Sequence, residues 1–327
     1  MRPSAPPAFF ALAAPVTLAV LLLAGCAPPT LLKQAPGPHR VVAVDTTLRD
    51  PAQSRDIALR VSSPAEAGSY PVVVFSHGAF CYPENYAAVT DHWVSHGYIV
   101  IAPNHLDSPN SRERLGPDAL PRLLESRIGD LTVIVDSLPQ IAASAKLAAT
   151  PDTTRLAVAG HSAGGMLAQI KAGLRLRDPQ SGAAVSRADP RFRAAVIMSG
   201  VGQMPQMADD GFAGLTGPLL ASGGTLDLGN VGTGTIYPWE WRMSPYTLAP
   251  AGDKYAVVLE RGDHFLGGLI CRPDRGGDDD PEGAAIVRAL QVAFLDAYVK
   301  GDRRARRFLA TADVARLTDD RARFERK

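Results

Sequence analysis

Cysteine is scarce in this sequence: three among 327 residues, at Cys26, Cys81 and Cys271. No grouping of Cys and His has the spacing of a zinc site. An excess of either charge is lacking too. Lys and Arg number 34 against 33 Asp and Glu, a formal net charge of +1. That balance argues against nucleic acid as a partner, because phosphate binding needs a basic stripe. Neither a phosphate-binding G-x-x-x-x-G-K-[ST] loop nor a dinucleotide G-x-G-x-x-G fingerprint occurs. Asp278-Asp279-Asp280 lacks the alternating ligand spacing of a calcium loop and reads as a solvated helix start. No cofactor and no metal are therefore expected. Internal repeats and low-complexity tracts are also missing, and the length is ample for one sizeable core.

A long uncharged stretch is present, at the beginning. After Arg2, residues 8–24 are apolar and end in Leu23-Ala24-Gly25-Cys26. A short apolar run closed by small residues is a secretory signal rather than a packed helix. Leu-Ala-Gly-Cys resembles the lipobox of bacterial lipoproteins, which implies cleavage before Cys26 and acylation there. The chain is thus expected to divide into a leader (1–25), a Pro- and Gly-containing linker (26–40) and a single domain (41–327). The resemblance implies export and a lipid anchor in the bacterial envelope. Ala27 leaves sorting to the outer membrane open in a Gram-negative host. Several acyl chains hold a membrane stably where one does not.

Beyond the linker, strands and helices alternate. Strands are expected at 41–46, 57–61, 71–75, 98–102, 155–159, 194–198, 218–222 and 255–259. The β-branched run Pro71-Val72-Val73-Val74-Phe75 suggests a strand buried on both faces. Helices are expected at 86–96, at 127–142 (with Pro139 kinking or ending it), after Ser162, and at 281–300 between Asp280-Pro281 and Gly301. The tail from Asp302 to Lys327 reads as a surface helix. The order means an α/β fold around a mostly parallel sheet flanked by helices.

Gly160-His161-Ser162-Ala163-Gly164-Gly165 carries the sharpest chemical signal. It matches the G-x-S-x-G elbow that presents a nucleophilic serine between a strand and a helix. Small residues flank a tight, strained turn, and the helix N-terminus suits a developing oxyanion. A serine needs a base, and the base needs an orienting carboxylate. His264 is the sole histidine after Ser162, just beyond the strand at 255–259. Asp227 follows the strand at 218–222, where the carboxyl edge of an open sheet faces a ligand. Its rivals are Asp209 and Asp210, before that strand, and Asp263, beside the histidine. Ala163 should give one oxyanion N–H, and the His77-Gly78-Ala79-Phe80 loop the other. Ala79 is the choice there, or Phe80 if the loop is shifted. His77 reads as a structural hydrogen-bonding residue, and His105 and Asp107 as loop-stabilising.

Three blocks carry a family likeness: Ser76-His77-Gly78-Ala79-Phe80, Ser95-His96-Gly97-Tyr98-Ile99-Val100-Ile101-Ala102, and the elbow. Together they resemble the platelet-activating-factor acetylhydrolase and dienelactone-hydrolase-like branch of the α/β hydrolases, with bacterial polyester hydrolases and chlorophyllases similar through the same blocks. The resemblance implies a serine esterase with Ser162, Asp227 and His264 as triad and Ala79 and Ala163 as oxyanion donors. True dienelactone hydrolases use a cysteine nucleophile, so Ser162 makes dienelactone an unsuitable substrate. Carboxylic esters of short or medium acyl chains, or phospholipid acyl esters, are the expected substrates. Polyester or lipase-like hydrolysis stays open, as does a non-catalytic envelope lipoprotein that keeps the fold for binding. Trp239 and Trp241, between acid and histidine, suit a lid or pocket wall as well as core packing.

With Cys26 acylated, Cys81 and Cys271 remain, each beside a candidate site segment. In an oxidising compartment they are expected to form a bridge; two buried thiols are the alternative. Mass spectrometry of the unreduced native protein should find neither alkylatable, and two modified thiols would refute the bridge.

Overall fold

The β-branched runs become the middle of one sheet because neighbours along each strand point to opposite faces, and both faces are covered. The computed structural model describes Met1 and residues 31–109, 111, 119–230, 234–272, 274 and 278–327. The leader after Met1, Cys26 and the rest of the expected linker up to residue 30 lie outside the described residues.

Nine strands form the sheet: β1 Val41–Asp50, β2 Arg55–Pro64, β3 Gly68–Ser76, β4 Ile99–Pro103, β5 Ala149–His161, β6 Phe192–Met198, β7 Leu219–Gly224, β8 Lys254–Leu259 and β9 Ala322–Arg326. Their spatial order is β1-β2-β4-β3-β5-β6-β7-β8-β9. Strands β4 through β8 pair in parallel. Strands β1 and β2 on one side and β9 on the other run antiparallel to their neighbours. Val73 and Phe75 of β3 enter a core shared with α1 (Ala87–Ser95) and α5 (Pro281–Leu295). Val72 and Val74 enter a second core, under α2 (Leu120–Asp136), α3 (Leu138–Ser144) and α4 (Ala163–Ala172). This is the expected α/β-hydrolase architecture.

Three differences have physical reasons. The helix expected over 127–142 begins earlier and divides at Ser137, because Pro139 occupies the first turn of α3, where its missing N–H costs nothing. The tail is not a single surface helix. Helix α6 (Arg303–Thr311) and a short turn lead into β9, whose Phe324 stacks on Tyr255 with ring centroids 5.7 Å apart. Alternating Ala322, Arg323, Phe324 and Glu325 place charges along this sheet edge, which discourages further pairing. Residues 31–40, part of the expected linker, are docked on the domain. Leu31 is buried in the first core, His39 N–H donates to Ser95 O, and Lys33 pairs with Asp296 at 3.0 Å.

The carboxyl ends of β3, β5, β7 and β8 bring the signalled loops to one edge. Gly160 and Gly164 make this possible. A Cβ on Gly160 would lie 2.1 Å from Gly164 O, and one on Gly164 would lie 1.9 Å from Ser76 O. Both obstacles are backbone and cannot swing away. Gly164→Ala should therefore destabilise the fold by about 3 kcal/mol, read from the urea midpoint; a loss below about 1 kcal/mol would mean that the contact relaxes.

Candidate active site

Ser162 sits between β5 and α4 at φ 54°, ψ −117°, in a region that L residues rarely adopt. Its N–H donates to Met198 O at 2.9 Å, which fixes the turn against β6. Ala163 opens α4, where the first turn leaves N–H groups without helical partners.

Asp227 lies three residues past β7, fully buried, and its Oδ1 accepts from His264 Nδ1 at 2.7 Å. The bond leaves the other ring nitrogen of His264 as the basic one. The His264 ring lies tilted against that of His161, the residue before Ser162, at 4.6 Å between centroids. The structure thus brings the acid, the histidine and the elbow together. The rival carboxylates are occupied elsewhere. Asp209 and Asp210 pair with Arg177 and Arg175 at the surface, and Asp263 Oδ1 accepts the N–H groups of Phe265 and Gly267.

Asp227 has a second partner that the sequence did not signal. Arg242 Nε donates to the same Oδ1 at 3.1 Å, while its other nitrogens reach Gly200 O and Leu228 O. Burial alone would raise the Asp227 pKa. The charge and hydrogen bond of His264, then Arg242 and the Ser199 hydroxyl, outweigh it and hold the carboxyl at about 2.

His161 was read only as part of the elbow motif, yet it joins three loops. The Tyr86 hydroxyl accepts from Gly78 N–H and donates to His161 Nδ1, both at 2.9 Å. His161 Nε2–H is then left to donate to His264 O, also at 2.9 Å. Burial, followed by the facing His264, pushes the His161 pKa well down, so the ring stays neutral and this direction of donation is stable.

In the loop after β3, Ala79 is exposed, whereas Phe80 N–H is committed to Asp107 Oδ2 at 3.2 Å. His77 is buried and holds Gly78 O and Ser108 Oγ. Cys81 and Cys271 meet with Cα atoms 5.1 Å apart, within disulfide range, so the loop bearing Ala79 lies against the one following His264. Trp239 and Trp241 are half-buried against the second core, and Trp241 stacks on Tyr237 at 4.8 Å.

A second Ser–His–Asp series lies beneath. Ser76 Oγ contacts His105 Nε2 at 2.9 Å, and His105 Nδ1 contacts Asp130 Oδ2 at 2.7 Å. All three residues are buried, and Asp130 also pairs with Arg55. With no surface for a substrate to reach, this series braces β3 rather than reacting. Among the described residues, no group of His, Cys, Asp and Glu is arranged to hold a metal ion.

A chlorophyllase family model matches residues 32–179, less than half of the chain. Chlorophyllase type 0 of Chenopodium album is 33% identical over 33% of this chain and 30% of its own length. Chlorophyllase-2 of Arabidopsis thaliana is 35% identical over 34% of this chain and 31% of its own. The chain therefore spans just under a third of the length of these relatives. Cutinase est1 of Thermobifida alba is 25% identical over 79% of this chain and 70% of its own. Among solved structures, one from Klebsiella pneumoniae, provisionally assigned as a dienelactone hydrolase, superposes with a TM-score of 0.56 at 18% identity. That match covers 79% of this chain and all of the other, and it bears on the fold alone.

The depressed Asp227 pKa carries a stability prediction. The folded state favours the carboxylate, which contributes about 2 kcal/mol once the pH is above the unfolded value near 4. That contribution is lost as pH falls through about 2. Asp227→Asn cannot titrate, so its urea midpoint should change less between pH 4 and 2 than that of the parent. Parallel curves would contradict the assignment.

Proposed function

We propose that this chain is a serine hydrolase of the α/β-hydrolase superfamily, cleaving carboxylic esters through an acyl-enzyme on Ser162. One observation carries the reading: a buried Asp227 carboxylate holds His264 by Nδ1, beside a serine on a strained strand-to-helix turn. In the proposed cycle Ser162 Oγ attacks the ester carbonyl while His264 takes its proton. Asp227 keeps the ring oriented and stabilises the imidazolium. The N–H groups of Ala79 and Ala163 receive the oxyanion. His264 then protonates the leaving alcohol, and water releases the acyl group by the same path.

The mouth favours an apolar ester. Phe80 is 60% exposed on the oxyanion loop, Leu226 (56%) and Leu228 (52%) flank Asp227, and Ile236 (58%) lies on the following hairpin. Acyl esters of lipids or polyesters would set apolar chains against such residues. The chlorophyllase and cutinase likenesses support ester hydrolysis without choosing among these substrates. The proposal includes a lipid anchor at Cys26. Four residues separate it from the docked Leu31, five Cα steps with a reach of at most ~18 Å, so the domain would stay close to the envelope membrane.

A chromogenic butyrate ester tests the chemistry. Ser162→Ala should lower kcat by at least about 10⁴-fold and abolish labelling by a fluorophosphonate probe. Equal rates in both proteins would sink the esterase reading and leave the fold as a binding module.

A further inference from the structure

Resting on that reading, we propose that Arg127 is a positioning residue that, together with Asp107, turns the Ala79 N–H toward the reacting carbonyl. Arg127 lies on α2, far from Ala79 in sequence and out of contact with any substrate. Its side chain is 3% exposed and that of Asp107 1%.

The argument runs through two peptide planes. In a trans peptide the C=O and N–H point in opposite directions, so holding one end aims the other. The plane between His77 and Gly78 is held at both ends. His77 O accepts from Arg127 Nη1 at 2.8 Å, and Gly78 N–H donates to Tyr86 Oη at 2.9 Å. The next plane joins Gly78 to Ala79. Gly78 O accepts from His77 Nδ1 at 2.7 Å and from Arg127 Nη2 at 3.3 Å. With that oxygen drawn into the protein, the N–H of Ala79 must face outward, toward the edge where Ser162 and His264 stand. One residue on, Phe80 N–H is drawn back to Asp107 Oδ2 at 3.2 Å. Asp107 in turn takes Arg127 through both oxygens, at 2.8 Å each. The pair therefore brackets Ala79, holding the carbonyl before it and the amide after it.

Packing alone gives this pair little reason to exist. A buried ion pair is commonly matched in stability by apolar side chains of similar volume, because desolvation offsets the attraction. What apolar side chains could not do is donate to two successive carbonyls. Arg127 supplies a planar fork of donors for that task.

The test compares the wild-type full chain with Arg127→Lys on a p-nitrophenyl butyrate and on its thiono analogue, in which C=S replaces C=O. Sulfur accepts hydrogen bonds from N–H more weakly, so an aligned donor favours the oxygen ester. Arg127→Lys should lower kcat on the oxygen ester roughly 10- to 100-fold, with KM changed less than about threefold. The oxygen-to-sulfur rate ratio should fall by about the same factor as kcat. Equal losses on both esters would mean a general structural role and overturn the proposal. If Arg127→Lys does not fold, Asp107→Asn has the same shape without the charge. It should lower the ratio several-fold, and an unchanged ratio in a folded, active Asp107→Asn protein would overturn the proposal as well. Wild-type protein inactive on both esters would overturn the ester reading itself, an outcome distinct from active wild type with an unmoved ratio.

Discussion

The site depends on a contact between two stretches of backbone. Where α4 leaves the elbow, Gly164 passes so close to Ser76 O that a single added carbon would overlap it. That approach sets how far Ser162 stands from the loop after β3, and hence whether one carbonyl group can meet both. Side chains can adjust a separation of this kind only slightly, because each repacks within a well-filled interior. Backbone contact between the first turn of α4 and the end of β3 leaves no such slack. The strained φ of Ser162 follows from the same constraint: the chain must reverse from strand to helix within one residue while its amide stays bonded to Met198 O.

Beneath the loops, charge does the work that apolar packing does under the strands. Arg127 with Asp107, Arg242 with Asp227, and Arg55 with Asp130 each place a guanidinium beside a buried carboxylate. Their effects on the carboxylates differ. Asp227, facing both His264 and Arg242, is held at about 2, whereas burial prevails at Asp130 and lifts it to about 6. The contrast fits their places. In the proposed cycle Asp227 stays ionised opposite the histidine that receives the serine proton, while Asp130 lies beside a fully enclosed His105 whose pKa burial pushes well down. Solvent access separates the two histidine–aspartate pairs: His105 and Asp130 are enclosed with Ser76, whereas the side chain of His264 is 19% exposed beside the elbow.

Much of this was legible in the sequence, for reasons that can be named. β-branched runs mark β3 and β4 because strands buried on both faces need them, and the elbow announces itself because its glycines are sterically required. His264 stands out by elimination and Asp227 by its place after a strand, and the structure pairs the two. Arg127 and Arg242 do not stand out, since an arginine that will be buried looks like one that will be solvated until the fold supplies its carboxylate. Tyr86 and His161 were hidden for a related reason: their hydrogen bonds cross between segments far apart in the chain. The β9 strand was missed because five residues bearing two arginines and a glutamate carry little apolar signal. Leu31 escaped because nothing local distinguishes a docked leucine from a linker one.

The exposed apolar residues at the mouth complete the physical picture. Phe80, Leu226, Leu228 and Ile236 face water on segments at or next to the proposed site. An exposed leucine or phenylalanine gives a loop no burial energy to hold its shape. The loop must therefore be fixed from its inner side, through its own backbone. That is where Arg127, Asp107, His77 and Arg242 act: each bonds a main-chain group or the carboxylate next to one. A mouth built this way can leave its apolar surface free for an acyl chain and still hold Ala79 and Asp227 in place. Polar anchoring inside and apolar contact outside are two halves of one arrangement.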